Sequence, residues 1–244
     1  MGAMGAELCL RVEAGLLLFL APRDRHDELR VSYDGVSSLG HVVESVGVPL
    51  PEVGSLLAGG RGVTPAYRPR DGEVVDVREM TRPQPVPTSR FLLDVHLGTL
   101  ARRLRLVGVD TAYENDLDDD TLIERANAER RVLLTQDRGL LRRRMLWLGA
   151  YVRGARPEEQ FDDVLGRFAP PLAPWSRCTA CNGLLVPAHK DEVETGLRPG
   201  TRRSYDTFAR CRTCDQVYWR GAHASRLQSI VERAERVVMT AAAE

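Results

Sequence analysis

Phe91-Leu92-Leu93-Asp94 and, farther along, Val132-Leu133-Leu134-Thr135-Gln136-Asp137 are short apolar runs that each end in an aspartate, and a helix-patterned segment follows each. Continuous apolar runs this short suit strands buried on both faces of a parallel sheet. In an open α/β sheet, ligands bind beyond the carboxyl ends of the strands, so the arrangement predicts two carboxylates in one crevice. An acid just past a buried strand is costly to desolvate unless it caps a helix, pairs or binds a metal. Asp94 and Asp137 each precede a helix they could cap. Paired in one crevice, they point to a divalent cation.

The segment around these runs, residues 89–170, alternates strand and helix patterns. Leu97 to Val107 predicts an amphipathic helix with Leu97, Leu100, Ala101, Leu104 and Val107 inward and Arg102, Arg103 and Arg105 outward. A strand over Val109–Tyr113, helices over Asp120–Ala128 and Leu140–Trp147, a strand over Ala150–Val152 and a helix over Pro157–Phe168 complete the expected order. Such alternation implies an α/β fold with a mainly parallel sheet and right-handed crossovers. The acidic run Asp116-Leu117-Asp118-Asp119-Asp120 precedes one of these helices, where solvated loop, helix capping and a carboxylate facing the crevice are all open readings.

Residues 7–80 read differently. Leu8–Leu20 and His26–Tyr33 suggest a hairpin, Val36–Val46 a helix stopped by Gly47-Val48-Pro49, and Glu52–Leu57 and Val74–Val77 strands around a turn at Arg70-Asp71-Gly72-Glu73. This is a β-grasp layout. It resembles the ubiquitin-like sulfur carriers of thiamine and molybdopterin synthesis, especially in Gly47-Val48-Pro49 and Asp71-Gly72-Glu73-Val74-Val75. Those carriers end in an exposed Gly-Gly, whereas here Gly59-Gly60 is internal and the segment runs on through Met80-Thr81-Arg82-Pro83. The expectation is therefore partner binding or positioning, not sulfur transfer. Pro83-Gln84-Pro85-Val86-Pro87 and Pro170-Pro171-Leu172-Ala173-Pro174 read as stiff boundaries.

The third segment, residues 175–226, carries Cys178-x-x-Cys181 and Cys211-x-x-Cys214, separated by 29 residues. Four thiolates in two knuckles form the tetrahedral set that structural zinc prefers, with no position left open for catalysis. Two disulfides or a redox dithiol are the competing readings, disfavoured by a cytosolic chain and by the presence of two pairs. A hairpin excursion through Lys190–Arg203 is expected between the knuckles. Arg177, Lys190, Arg202, Arg203, Arg210, Arg212, Arg220 and Arg226 interleave with Tyr205, Phe208, Tyr218 and Trp219. That mixture suits single-stranded or looped RNA, or else the aromatics are the ribbon's own small core. Residues 227–244 are left as a C-terminal helix or tail.

Composition narrows the field. Formal net charge is zero, so no global attraction draws the chain to nucleic acid or acidic membranes and only local patches matter. Lys190 is the sole lysine among 34 basic residues. Arginine favours bidentate phosphate contacts, but a GC-rich coding sequence would produce the same bias. No run approaches the length of a membrane span, and the expectation is a cytoplasmic protein with no membrane partner. Neither a Ser-His-Asp pattern nor a Gly-rich phosphate loop competes with metal-assisted hydrolysis, for which hard carboxylates select Mg²⁺ or Mn²⁺.

Arg90-Phe91-Leu92-Leu93-Asp94, the run Leu97-Gly98-x-Leu100-Ala101-Arg102-x-Leu104-Arg105-x-x-Gly108-x-Asp110, and Arg131-Val132-Leu133-Leu134-Thr135-x-Asp137 resemble the Mut-seven C-terminal RNase domain of the PIN-like nuclease group. The likeness extends through Cys178-x-x-Cys181-Asn182-Gly183, Cys211-x-x-Cys214 and Tyr218-Trp219-Arg220-Gly221-x-His223, and a β-grasp segment is a known N-terminal companion. The resemblance implies a PIN-like fold and a divalent-metal ribonuclease in which Asp94, Asp119 and Asp137 hold Mg²⁺ or Mn²⁺, with Asp116 and Asp120 as alternatives to Asp119. Arg138, Arg142, Arg143 and Arg144 stand where the wider group has a fourth acid. Candidate phosphate contacts are thus Arg102, Arg105, Arg138 and Arg142, and Thr135 is placed to hold a carboxylate or a metal-bound water. The expected partner is RNA, a structured one such as tRNA included. The rival expectation is a non-catalytic RNA-binding adaptor whose β-grasp domain docks a protein partner.

Overall fold

Apolar strands interrupted by glycine turns and amphipathic helices give two compact units, Met1–Thr81 with Asp137–Tyr151, and Arg82–Gln136 with Val152–Glu244. A computed structural model describes residues 5–221 and 224–243. The elements are β1 (Ala6–Val12), β2 (Glu28–Tyr33), α1 (Leu39–Ser45), β3 (Val53–Ala58), β4 (Arg61–Val63) and β5 (Val74–Glu79). Then come β6 (Phe91–Leu93), α2 (Gly98–Leu106), β7 (Thr111–Tyr113), α3 (Asp119–Ala128), β8 (Val132–Thr135), α4 (Arg138–Leu141), β9 (Gly149–Tyr151) and α5 (Pro157–Phe168). The chain ends with β10 (Leu185–Ala188), α6 (Lys190–Val193), α7 (Pro199–Ser204), β11 (Phe208–Cys211), β12 (Val217–Trp219) and α8 (Ala224–Ala241).

In the first unit the strand order is β2-β1-β5-β3-β4, with β1 and β5 parallel and the other neighbours antiparallel. This is the β-grasp arrangement, with Leu39, Val42 and Val43 of α1 in one apolar core with Leu8, Leu10, Val75 and Val77. Gly59 and Gly60, at φ +56° and +78°, make the two-residue turn that pairs Ala58 with Arg61. Both turn residues need positive φ, the condition of a type I′ hairpin turn, so this Gly-Gly has a structural purpose. Gly47 is fixed by space as well as by its φ of +117°, since a Cβ there would lie 2.4 Å from the Phe19 carbonyl oxygen.

Two expectations for this unit are corrected. Ala14–Phe19 is a 3-10 helix, not the end of a strand, and it buries Leu16 and Phe19. A helix over Leu140–Trp147 is reduced to the four residues of α4. Residues 137–151 join the first unit through specific contacts. The Arg138 guanidinium donates to the carbonyls of Phe19 and Leu18 at 2.8 and 2.9 Å and lies 5.3 Å over the Phe19 ring. Tyr151 meets Phe19 edge-on at 5.0 Å, and its amide donates to Glu52 Oε1 at 2.8 Å.

In the second unit β6 lies between β7 and β8, parallel to both, with Phe91 opposite Thr111 and Val132 and Leu93 opposite Tyr113 and Leu134. All three residues of β6 and all four of β8 are buried, as a strand covered on both faces requires. The chain leaves β6 for one neighbour and returns to the other, so the carboxyl end of β6 is a topological switch point. The two proline stretches are docked, not free. Gln84 and Arg167 exchange two hydrogen bonds, Gln84 N to the Arg167 carbonyl at 2.6 Å and Arg167 Nε to Gln84 Oε1 at 2.7 Å. The amides of Ala173 and Trp175 satisfy the carbonyls of Val107 and Leu106 at the end of α2, both at 3.0 Å. The excursion between the cysteine knuckles is helical, α6 and α7, where a hairpin was expected.

Candidate functional site

Asp94 follows the last residue of β6, at the switch point. It is 8% exposed, and both carboxylate oxygens are held: Oδ1 accepts from the Val95 amide at 2.6 Å and Oδ2 from the Thr135 hydroxyl at 2.6 Å. Thr135 is fully buried at the carboxyl end of β8, so the strand-end residues of β6 and β8 meet there, as the sequence predicts for a carboxylate holder. The end of β7 contributes as well. Tyr113 donates its hydroxyl to the Val95 carbonyl at 2.7 Å, fixing the turn that carries Asp94. Gly98 permits this approach, because a Cβ there would lie 2.6 Å from the Tyr113 oxygen. Among the described residues no cationic side chain pairs with Asp94. A buried carboxylate oriented by two neutral donors and lacking a counter-ion suits a cation.

Asp119 is the exposed first residue of α3, and Asp118, not Asp119, caps that helix by accepting from the Thr121 amide at 3.0 Å. Asp116 and Asp120 are exposed too. In the first unit, Asp137 caps α4, its Oδ1 accepting from the Gly139 and Leu140 amides at 2.6 and 3.4 Å. Arg102 and Arg142 are exposed.

Arg105 and Arg138, expected as phosphate contacts, both direct their guanidinium groups to backbone carbonyls. Arg105 is 3% exposed, and its guanidinium donates to the carbonyls of Thr111, Thr179 and Ala180 at 2.8, 3.2 and 2.7 Å. Burial lowers its pKa from the usual arginine range, opposed by the nearby Cys181 and Cys178. Arg138 is committed to Leu18 and Phe19 as described.

The four cysteines are the one group of three or more His, Cys, Asp or Glu ligands gathered within 4.8 Å among the described residues. Cys178 and Cys214 Sγ are 3.6 Å apart, and Cys181 and Cys211 Sγ 3.4 Å. Tetrahedral zinc with bonds of about 2.3 Å places its sulfurs about 3.8 Å apart, so the set can hold a metal such as zinc. Backbone amides of Cys181, Gly183 and Thr213 point at the sulfurs of Cys178, Cys181 and Cys211, each at 3.4 Å. Each knuckle is followed by a residue in the left-handed region, Asn182 at φ +72° and Asp215 at +57°. Gly183 provides room, not φ: a Cβ there would sit 2.8 Å from Cys211 Sγ.

Thiols this close cannot all ionise without a cation. Burial is outweighed by hydrogen bonds from Tyr218 and the knuckle amides at Cys178, which falls to about 6, whereas burial and the neighbouring thiols push Cys181 up to about 12. A divalent ion removes that conflict. His189 is not in this set, and His223 lies outside the described residues.

The residues that sequence reasoning passed over join the cysteine module to the strand edge. Asp110, just before β7, accepts from Arg131 at 2.7 Å, Asn182 Nδ2 at 2.8 Å and Arg177 at 3.3 Å. Burial would raise the Asp110 pKa, but the bonds from Arg131 and Asn182 hold it below the usual carboxylate range. Gly108-x-Asp110, Arg131 and Asn182 all stand in the quoted motifs, which is the signal that could have found them.

A family model described as Mut7-C RNAse domain matches residues 89–231, and one described as Mut7-C ubiquitin matches residues 5–85. No curated protein and no solved structure matches the chain. With a β-grasp unit at its start, a parallel sheet ending at Asp94 and a four-cysteine module behind it, the chain belongs to the Mut7-C RNAse domain family.

Proposed function

We propose that the protein is a divalent-metal-dependent ribonuclease that hydrolyses RNA phosphodiester bonds, with zinc as a structural ion in the cysteine module. The observation that supports this reading is Asp94: a buried carboxylate at a strand-end switch point, oriented by Val95 and Thr135, with no cationic partner among the described residues. Asp94, Asp119 and Asp137 are the residues that would hold Mg²⁺ or Mn²⁺. When bound, such an ion polarises a phosphoryl oxygen and acidifies a water. The chain's own part is positional. The Thr135 hydroxyl and the Val95 amide keep the Asp94 carboxylate in one orientation, and the Tyr113 hydroxyl keeps the Val95 turn in place. Arg102 and Arg142, both exposed, offer forked donors to phosphate.

No helix among the described residues is long and apolar enough to cross a membrane. Structured RNA such as tRNA is the substrate class, and the β-grasp unit is a surface for a protein partner, in a cytoplasmic setting. Incubating a mixed RNA pool with purified protein and Mn²⁺, beside an Asp94→Asn control, tests the activity, and end sequencing reads polarity and substrate together. Tight RNA binding by the wild type with no cleavage in any divalent metal would favour a non-catalytic adaptor instead.

A further inference from the structure

The cysteine module carries an open cleft of about 620 Å³ that the mechanism above does not use. One wall is the helical excursion, with Arg198 and Thr201; the other is the second knuckle and β12, with Gln216, Val217 and Trp219. Its volume falls in the range of small-ligand sites and is ample for one nucleotide.

Trp219 decides what the cleft suits. A small ribbon ordinarily uses its large aromatics as core, yet Trp219 is 41% exposed. Its indole is also held: Gly221 leaves the space it occupies, since a Cβ there would meet Nε1 at 2.8 Å and Cδ1 at 3.2 Å. The module's other tryptophan, Trp175, is already covered by the Arg220 guanidinium at 5.1 Å from the ring centroid. The open ring and the covered ring have different work.

Charge indicates the rest of the ligand. Arg198, Arg202, Arg203, Arg210, Arg212 and Arg220 are exposed within residues 198–220, against Asp206 and Asp215, and Asp215 lines the knuckle wall of the cleft, 4.0 Å from Arg210. Asp206 is engaged by Lys190 at 2.6 Å. A loaded tetrathiolate is formally dianionic and reaches the cleft through the exposed Cys214, so a phosphate belongs on the excursion wall. There Arg202 stands one turn beyond Arg198, its amide bonded to the Arg198 carbonyl at 3.1 Å. An uncharged base belongs on the opposite wall, against Trp219, where the Gln216 amide offers a donor and an acceptor to a base edge. A peptide would not need this separation of an anionic end from a flat, apolar one.

We propose that this cleft binds one unpaired nucleotide of single-stranded RNA, with its base stacked on Trp219 and its phosphate at Arg198. The proposal rests on RNA being the protein's substrate, and it assigns the ribbon a selection for unpaired segments.

The test uses the full zinc-loaded chain carrying Asp94→Asn to prevent cleavage, and a short fluorescein-labelled oligouridine, alone or as a duplex with its complement. Single strand should bind more tightly than duplex and quench tryptophan fluorescence. Adding Trp219→Ala should weaken binding by about 5- to 150-fold, the range for one stacked base. Trp219→Phe should retain most of the affinity, and bound zinc verifies that each variant is folded. Arg198→Ala should weaken binding and lower the salt slope by about one. Unchanged affinity in zinc-loaded Trp219→Ala, or duplex bound as tightly as single strand, overturns the proposal. If the Asp94 protein of native sequence cleaves RNA while Trp219→Ala binds normally, the cleft fails and the nuclease reading stands. If native protein never cleaves but Trp219 governs oligouridine binding, the reverse holds.

Discussion

The Asn182 side chain and the Asp110 carboxylate hold the first cysteine knuckle to the edge of the parallel sheet: Asn182 Nδ2 donates to Asp110 Oδ1 at 2.8 Å, while Asn182 Oδ1 accepts from the Thr111 amide at 3.0 Å. Asn182 is both the left-handed residue closing the knuckle and the side chain that reads the sheet edge. Asp110→Ala would leave the Arg131 guanidinium, with 7% of its side chain exposed, with Glu129 as its remaining carboxylate partner, and should cost about 1–2 kcal/mol. Asn182→Gly keeps the backbone conformation but removes both bonds, at about 1–2 kcal/mol. Denaturant unfolding of the two variants measures both, and losses below about 0.5 kcal/mol would show that the knuckle does not depend on this clamp.

The same carboxylate makes stability depend on acid. Arg131, Asn182 and Arg177 hold the Asp110 pKa below its unfolded value, despite burial, and Glu129 is lowered likewise by Arg131 and Arg125. A depressed folded pKa means that the stabilisation is full above the unfolded value, about 4, and is lost as pH falls through the folded one. Melting temperature should therefore fall below about pH 4 more steeply in the native protein than in Asp110→Asn. Parallel melting curves for the two proteins across that window would remove Asp110 from the account.

Removal of the zinc proposed for the cysteine module should reach beyond the ribbon. Arg105 of α2 donates to the carbonyls of Thr179 and Ala180, inside the first knuckle, and to Thr111 of β7. Without metal the four thiols no longer fix that knuckle, so two of its three acceptors lose their position. Chelation should lower the melting temperature and increase hydrogen exchange at Thr111 to Tyr113, and added Zn²⁺ should restore both. Faster exchange confined to residues 178–219 would mean that the sheet edge stands without the module.

What the sequence conveyed depended on whether neighbours in the chain settle a residue's environment. Pro157 to Phe168 is a helix with the bounds that its pattern predicts, because proline suits the first turn and the apolar period is its own. The parallel strands are legible because each short apolar run, such as Phe91-Leu92-Leu93, is followed at once by a helix pattern, the alternation that a parallel sheet needs. Ala14–Phe19 reads as strand because every position is apolar or small, and an unbroken apolar run does not distinguish a buried strand from a buried helical turn. Arg105 falls on the polar side of α2 by period, yet that side is covered by the knuckle. Such cover is a tertiary fact, invisible to periodicity, and it converts a candidate phosphate ligand into a fastener. Asp94 lies between these cases: its position at a strand end is legible, but its burial and its bond to Thr135 are not.

That bond supplies the sharpest test of the candidate site. Thr135→Val preserves shape and β-branching but removes the hydroxyl that donates to Asp94 Oδ2 at 2.6 Å. Its methyl replacement leaves Asp94 buried with one oriented oxygen, the Val95 contact, and the other free to turn. Partners that orient a metal-binding carboxylate typically matter by about 10- to 100-fold in affinity or activity. Thr135→Val should raise the Mn²⁺ concentration needed for half-maximal RNA cleavage by about that factor, and Thr135→Ser should recover most of it. A general loss of folding would lower cleavage at all Mn²⁺ concentrations without this shift, and circular dichroism would reveal it. A native Mn²⁺ dependence in Thr135→Val would separate the Thr135 hydroxyl from the metal, and with it the orientation of Asp94 on which the proposed chemistry relies.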